Sequence, residues 1–127
     1  MSMSNYLENK VLNHICGNGE YTAPRKCYMA LLTSSSTDET AGTEVVGAGY
    51  SRKSITFDSS VDGVVKNLSD IVFDVAEEDW GIITSVAVFD AETDGNMLFY
   101  ADLSNSQEVT QDNQMIFRAG KLTISLD

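Results

Sequence analysis

The residues of this chain that could do chemistry are few and poorly spaced for catalysis. His14 is the single histidine of the 127 residues, so any nucleophile–histidine–carboxylate system must use it. It lies near the end of a predicted helix, with no serine on a strained strand-to-helix turn to act as its nucleophile. The segment Gly47–Gly49 lacks the further glycine and the following helix of a phosphate-binding loop. We therefore expect no catalytic site, and the chain is not predicted to be an enzyme.

The acidic residues form two clusters whose spacing can be compared with known chemistry. Glycosidases need two carboxylates that face each other across a cleft, one of them desolvated. Residues 77–79 and 90–94 fall instead in polar corners, where acidic residues are usually solvated. Residues 90–96 place oxygen ligands at alternate positions, as a calcium loop does, but Met97 begins a strand where the bidentate glutamate would have to follow. A loosely bound calcium stays an alternative here, and no cofactor is predicted.

The two cysteines, Cys16 and Cys27, are too few for a disulfide scaffold or a four-cysteine zinc site. Cys27 lies in an apolar run and is expected to be a small core residue. A disulfide between the two is sterically possible, although it is the less favoured alternative in a cytosolic chain. His14 and Cys16 give only two candidate metal ligands without close partners, so no metal site is predicted.

The composition is that of one ordinary globular domain over residues 1–127, with 43% hydrophobic and 21% charged residues. No run approaches the roughly 18 to 20 apolar residues of a membrane span, and the N-terminus shows no secretory signal, so no membrane association is expected. The net charge of −11 repels nucleic-acid phosphates, and the basic residues are dispersed along the chain. We therefore expect no nucleic-acid partner.

The elements that must position these residues begin with a β-hairpin, which is the strongest structural signal. Residues Trp80–Leu103 hold two apolar, β-branched and aromatic runs around the polar segment Ala91–Asn96, which carries an Asp94-Gly95 turn. The aromatic residues expected in its core are Trp80, Phe89 and Phe99. The hairpin therefore predicts a rigid sheet centre.

Further short strands are predicted around the hairpin from one-sided or two-sided apolar patterns. They lie at Cys27–Thr33, Tyr50–Phe57, Val64–Phe73, Gln114–Phe117 and Gly120–Leu126. Arg52 falls on the exposed side of its strand. Two polar stretches, Ser34–Glu44 and Ser104–Asn113, are predicted as long exposed loops. About seven or eight strands at this spacing favour an all-β fold, a single-domain β-sandwich (jelly-roll-like) or a small barrel.

One short helix is predicted at about residues 5–16, ahead of the strands. Asn5 is the expected N-cap, with Glu8 completing a pair that resembles a capping box. Positions recurring every four residues form one apolar stripe, which consists of Leu7, Val11 and Ile15. The stripe packs either on the chain's own sheet or on a neighbouring protein, and the sequence leaves both alternatives open.

The helix stripe and the two polar loops are the expected contacts with other proteins. Loops of this length without regular structure are more often binding elements or disordered segments than spacers. Tyr100 belongs with them, because its parity in the hairpin is opposite to that of Phe99. The candidate interface residues are Leu7, Val11, Ile15, Thr37, Asp38, Tyr100 and Gln107.

Five sequence blocks spread over nearly the whole chain are informative together. They are SNYLENKVLNHI, YTAPRKCYMALLT, GTEVVGAGYSRKSITF, WGIITSVAVFDAETDGNMLFYADL and FRAGKLTISLD. In content and order they resemble a family of small tailed-bacteriophage structural proteins, commonly labelled tail fibre or minor tail proteins. Arg25-Lys26, Cys27, Ser85 and Tyr100 depart from residues that are common in the family at those positions, which implies an altered contact surface there.

The resemblance implies a virion component without a catalytic motif. Because no long shaft or heptad repeat is encoded, the preferred hypothesis is a head decoration (cement) protein that stabilises the capsid surface. The alternatives are a minor tail or tail-fibre-associated protein and, in another class, a carbohydrate-binding module for host-surface glycans. The expected partners are the phage major capsid protein or other virion proteins, together with copies of the chain in a homo-oligomer (trimer or dimer). The expected location is the virion, assembled in the host cytoplasm.

Overall fold

The computed structural model describes residues 1–126 and shows an all-β protein with one helix, as the sequence predicted. The helix α1 spans Asn5–Ile15. The strands are β1 (Ser2–Met3), β2 (Cys27–Leu32), β3 (Lys53–Ile55), β4 (Val64–Lys66), β5 (Ile71–Val72), β6 (Gly81–Phe89), β7 (Met97–Val109), β8 (Ile116–Phe117) and β9 (Thr123–Ser125).

The central hairpin is confirmed as β6 and β7. Its turn places Asp94 and Gly95 at positive φ values of 54° and 73°, which glycine adopts freely and aspartate tolerates. The carboxylate of Asp90 closes the turn by accepting hydrogen bonds from the backbone N–H of Asn96 at 2.7 Å and from its side-chain amide at 3.0 Å. The acidic residue at the start of this segment therefore serves the turn.

A five-stranded antiparallel sheet in the order β1-β7-β6-β2-β3 forms the main layer. Strand β2 lies beside β6, with Met29 opposite Val88. It is buried on both faces, as predicted, because Met29 belongs to the larger core cluster and its neighbour Ala30 to the smaller one. The sheet has free edges at β1 and β3, so it is open rather than closed into a barrel.

Two short ribbons, β4 with β9 and β5 with β8, cover one face of this sheet. The larger core joins both layers and contains Met29, Phe73, Val88 and Leu122, with Trp80 also buried in it as predicted. Buried Asn67 connects the ribbons, because its amide donates to the carbonyl oxygens of Ser69 and Arg118 and accepts from the backbone N–H of Leu122. The second layer is thus two ribbons rather than the continuous second sheet of a jelly roll.

The other face of the sheet is bordered by α1, and here the predicted N-cap is wrong. Ser4, not Asn5, is the N-cap: its Oγ accepts from the backbone N–H of Leu7 at 3.2 Å and donates to the carbonyl oxygen of Met97 at 2.5 Å. Of the apolar stripe, Leu7 is buried, Val11 is half-buried and Ile15 is 74% exposed. Only the first turn of the helix therefore packs on the sheet. Among the described residues, no helix has the length and apolarity needed to cross a membrane.

Two strand predictions also differ from the structure. Within Tyr50–Phe57, only β3 is a strand, and Arg52, expected to be exposed, is 8% exposed because it forms the polar network described below. The predicted 104–113 loop belongs to β7 as far as Val109. Backbone pairing with β6 outweighs the weak strand propensity of these polar residues, and the register shift between Ile83 and Ser85 shows that residues 103–106 bulge from the ladder.

Candidate interaction surface

The structure brings some of the predicted interface residues together and separates others. The hydroxyl of Tyr100 donates a hydrogen bond to the carboxylate of Asp38, and Thr37 is exposed beside Asp38 in the chain. This bond raises the pKa of Tyr100 above its ordinary value, so the hydroxyl stays protonated and donating. Gln107 is exposed near the far end of β7 and lies opposite Ile83, whereas Tyr100 lies opposite Ala87, roughly 13 Å away along β6. Ile83 and Ala87 belong to different core clusters, so Gln107 and Tyr100 point to opposite faces of the sheet. Gln107 therefore does not share the surface of Tyr100 and Asp38.

The polar segment that contains Thr37 and Asp38 has no strand but is firmly attached; we call residues 34–44 the 34–44 loop. The carbonyl oxygen of Asp38 accepts from the first helical N–H, that of Asn5, at 2.8 Å. At the loop's start, Ser85 donates to the carbonyl oxygen of Ser34 at 2.6 Å. Inside the loop, Thr37 and Thr40 close a turn through two hydrogen bonds. The loop is thus a fixed feature of the surface, and its exposed residues are already oriented for contact.

At its C-terminal end, this loop joins an ion pair between buried Arg52 and half-buried Glu44 that sequence reasoning missed. The carboxylate of Glu44 receives two hydrogen bonds of 2.9 Å from Arg52, which makes the pair bidentate. The third guanidinium nitrogen of Arg52 donates to the carbonyl oxygens of Ala91 at 3.0 Å and Asp94 at 2.7 Å. Its plane lies 3.8 Å from the ring centre of Phe89. Arg52 therefore fastens the 34–44 loop to the tip of the central hairpin.

Tyr50 completes this network, which we call the Arg52 network. Its hydroxyl donates to Glu44 at 2.5 Å and accepts from the backbone N–H of Leu31 at 3.1 Å. Burial raises the pKa of Glu44, but the hydrogen bonds from Arg52 and Tyr50 and the nearby positive charge outweigh it, and the net effect lowers the pKa below its ordinary value. Burial, with the bond to Glu44, raises the pKa of Tyr50. Glu44 therefore stays ionised and Tyr50 neutral around neutral pH.

A groove of about 410 Å³ opens between the 34–44 loop, the start of α1 and the hairpin. Its rim carries the carboxylates of Asp38 and Glu39, and its floor carries buried Phe89 and Met97. Tyr6 of α1 lines it as well. We call this the acidic groove.

A second groove of about 450 Å³ lies near the other edge of the main sheet, where β2 meets β3. Its charged lining residues are Arg25 and Lys26, both exposed, and no acidic residue lines it. Buried Ile55 and half-buried Cys27 and Phe57 provide apolar surface. We call this the basic groove.

The candidate metal ligands do not converge within residues 1–126, where no group of three or more histidine, cysteine or acidic side chains is placed to hold a metal ion. His14 accepts a hydrogen bond at Nδ1 from the backbone N–H of Tyr21 at 3.2 Å. Cys16 is exposed and Cys27 is half-buried, and both are free thiols. His14 therefore has a local structural role, as the hydrogen-bond acceptor for Tyr21.

The structure is that of a small all-β protein with an ordered 34–44 loop and two grooves of opposite charge. Over residues 2–125, the sequence matches the family described as Podophage GP4 fiber I protein gp80, and the chain belongs to that family. This confirms the resemblance to phage tail fibre proteins and makes the chain a structural protein of the bacteriophage virion. A search of curated proteins found no match.

Proposed function

We propose that this chain is a non-enzymatic component of the tail fibre, holding a fibre together or to its neighbours through contact surfaces. The observation that carries the proposal is the family match, which spans residues 2–125 and names a fibre protein. Of the two virion locations considered from the sequence, the match favours the fibre over the head. The head decoration hypothesis has no comparable support and becomes an outcome of the test.

The 34–44 loop supports a contact function because it is ordered before any partner binds. Its bonds to Asn5, Ser85 and Arg52 fix both ends and the middle. Association then requires little further loss of backbone freedom, which is how a preorganised surface gains affinity. The partners that we propose are other virion proteins and further copies of this chain.

The test uses isolated tails and empty heads from particles assembled without this chain. Purified protein is mixed with each and sedimented, and the bound copies are counted. Binding to tails but not to heads is expected. Saturable binding to heads with none to tails would reverse the assignment and restore the decoration hypothesis.

The carbohydrate-binding alternative has less support in this surface. The sequence offered the exposed loops or Tyr100 as its glycan contacts, and the hydroxyl of Tyr100 is engaged by Asp38. The carbohydrate-binding function stays a prediction, which is tested by measuring whether the purified chain binds to an array of host-surface glycans.

A further inference from the structure

We propose that copies of this chain bind one another head to tail, with Arg25 and Lys26 of one copy entering the acidic groove at Asp38 and Glu39 of the next. The inference rests on the proposed function, because it names a partner for the contact surface described above. The occupant of the acidic groove is thus a second copy of the same chain.

The four charged side chains are available for such a contact. Within the described part of the chain, the ion pairs join Arg52 to Glu44, Lys53 to Asp74 and Arg118 to Asp70. They leave Arg25 and Lys26 without an acidic partner and Asp38 and Glu39 without a basic one. Asp38 accepts from Tyr100 and Glu39 from the side-chain amide of Asn5, so both carboxylates are held at the rim of the groove.

The two grooves cannot satisfy each other inside one molecule. The acidic groove lies on the β7 and β6 side of the sheet and the basic groove at β2 and β3, which places them about 10 to 15 Å apart across the strands. The apolar residues that line them also lie on opposite faces of the sheet, because Phe89 belongs to the smaller core cluster and Ile55 to the larger one. A contact between unlike surfaces of identical copies is heterologous, and it builds a ring if it closes or a filament if it does not.

Each groove combines apolar surface with a charged rim, the arrangement usual at protein interfaces. In the acidic groove the apolar residues are Phe89 and Met97, and in the basic groove they are Ile55 and Phe57. The rim charges are opposite, −2 from Asp38 and Glu39 against +2 from Arg25 and Lys26. They favour a head-to-tail register and disfavour acidic groove on acidic groove.

Because of the net charge of −11, copies of the chain repel one another at long range. The salt concentration decides whether this repulsion or the local attraction between the two grooves prevails. The Debye length is about 8 Å at physiological ionic strength, so repulsion between distant surface charges is screened more strongly than pairs in contact. The test is therefore made at 0.15 M salt, where we expect local complementarity to outweigh net repulsion.

Sedimentation velocity over a concentration series of the purified chain tests the contact. Wild-type protein is expected to self-associate. The variant Arg25→Glu/Lys26→Glu and the variant Asp38→Lys/Glu39→Lys should each associate at least about tenfold more weakly. An equimolar mixture of the two should form heterodimers, because each contributes a groove that attracts the other.

Matched controls reverse the same number and kind of charges elsewhere: Lys66→Glu/Lys121→Glu and Glu20→Lys/Glu108→Lys, all at exposed positions, should associate as wild type does. Circular dichroism checks that every variant is folded, and Glu39→Lys alone replaces the acidic-side variant if the loss of Asp38 disturbs the loop. A strictly monomeric wild type, unchanged association of the variants, or a mixture that stays monomeric would each overturn the proposal. A monomer that binds tails would overturn this inference alone, whereas an associating protein found on heads would overturn the proposed function alone.

Discussion

Arg52 is a buried charged residue whose guanidinium group donates four hydrogen bonds. A buried charge is tolerated only when paired and hydrogen-bonded, and here a carboxylate, two carbonyl oxygens and an aromatic ring surround one guanidinium. The planar guanidinium group donates to Glu44 on one side and to the carbonyl oxygens of the hairpin tip on the other. Lysine, a single-point donor, cannot reproduce that geometry.

We expect Arg52→Lys to lower the free energy of unfolding by about 2 kcal/mol, because it leaves half-buried acceptors at Glu44 and Ala91 without all of their donors. Chemical denaturation of both proteins measures the difference. The matched control is Arg118→Lys, whose exposed pair with Asp70 should contribute less than about 1 kcal/mol. Equal effects of the two substitutions would contradict the role given to Arg52.

The lowered pKa of Glu44 predicts an acid-sensitive fold. A carboxyl group with a lower pKa in the folded state adds stability above its unfolded pKa of about 4.3, and this is lost as pH falls through the folded pKa. Glu44→Gln should therefore be less stable than wild type at pH 7, and the difference should shrink below about pH 4. Unfolding curves at several pH values measure this, and a difference independent of pH would exclude the ionised carboxylate as the cause.

The Arg52 network could not be predicted from the sequence pattern around Arg52. Alternation placed Arg52 on the exposed side of a strand, and nothing near it in the chain identifies carbonyl oxygens at Ala91 and Asp94 as its acceptors. The pairing of Asp38 with Tyr100 was also hidden, although both were singled out as contact residues. Long-range polar contacts depend on how the sheet brings loops together, and one sequence does not report that.

The elements themselves were more predictable where their signal is local. The central hairpin and α1 follow from apolar patterns and from Asp94-Gly95, and the structure has both. The cap was misassigned because Ser4 and Asn5 are both good caps. The Met97 carbonyl that Ser4 reaches lies far along the chain.

Ser4 anchors α1 to the hairpin, and its loss should weaken both. Ser4→Ala removes the acceptor for Leu7 and the donor to Met97, so we expect the free energy of unfolding to fall by about 1–2 kcal/mol. Asn5→Ala, which alters the cap expected from sequence, should change it by less than about 0.5 kcal/mol. Thermal and chemical unfolding compare them, and a larger effect at Asn5 would restore the original assignment.

Gly47, which precedes β3, leaves the space that the side chain of Trp80 occupies. A Cβ at this position would lie 2.6 Å from Cδ1 of Trp80, whose indole N–H donates to the carbonyl oxygen of Ala48 at 3.0 Å. Gly47→Ala should therefore displace the tryptophan and lower the free energy of unfolding by about 1–3 kcal/mol. Gly19→Ala is the control, because the nearest atom to its added Cβ is 3.9 Å away. Unchanged tryptophan fluorescence and stability in Gly47→Ala would contradict this packing.

For the protein as a whole, the sequence pattern predicted an all-β fold and the resemblance to a phage family implied a virion protein, but neither predicted the arrangement of the layers. The ribbons of the second layer have strands of two or three residues, too short for a periodic signal. The head decoration hypothesis was preferred because the chain encodes no long shaft. That observation describes one chain and not an assembly of many. A fibre assembled from short modules does not need a long chain, and the family match favours that alternative.

Location in the virion tests the central claim most directly. Antibodies raised against the purified chain and coupled to gold are applied to intact particles, and the gold positions are recorded by electron microscopy. The account predicts label on the tail fibres with heads bare, and particles assembled without the chain serve as the unlabelled control. Label spread over the heads, with fibres bare, would contradict it.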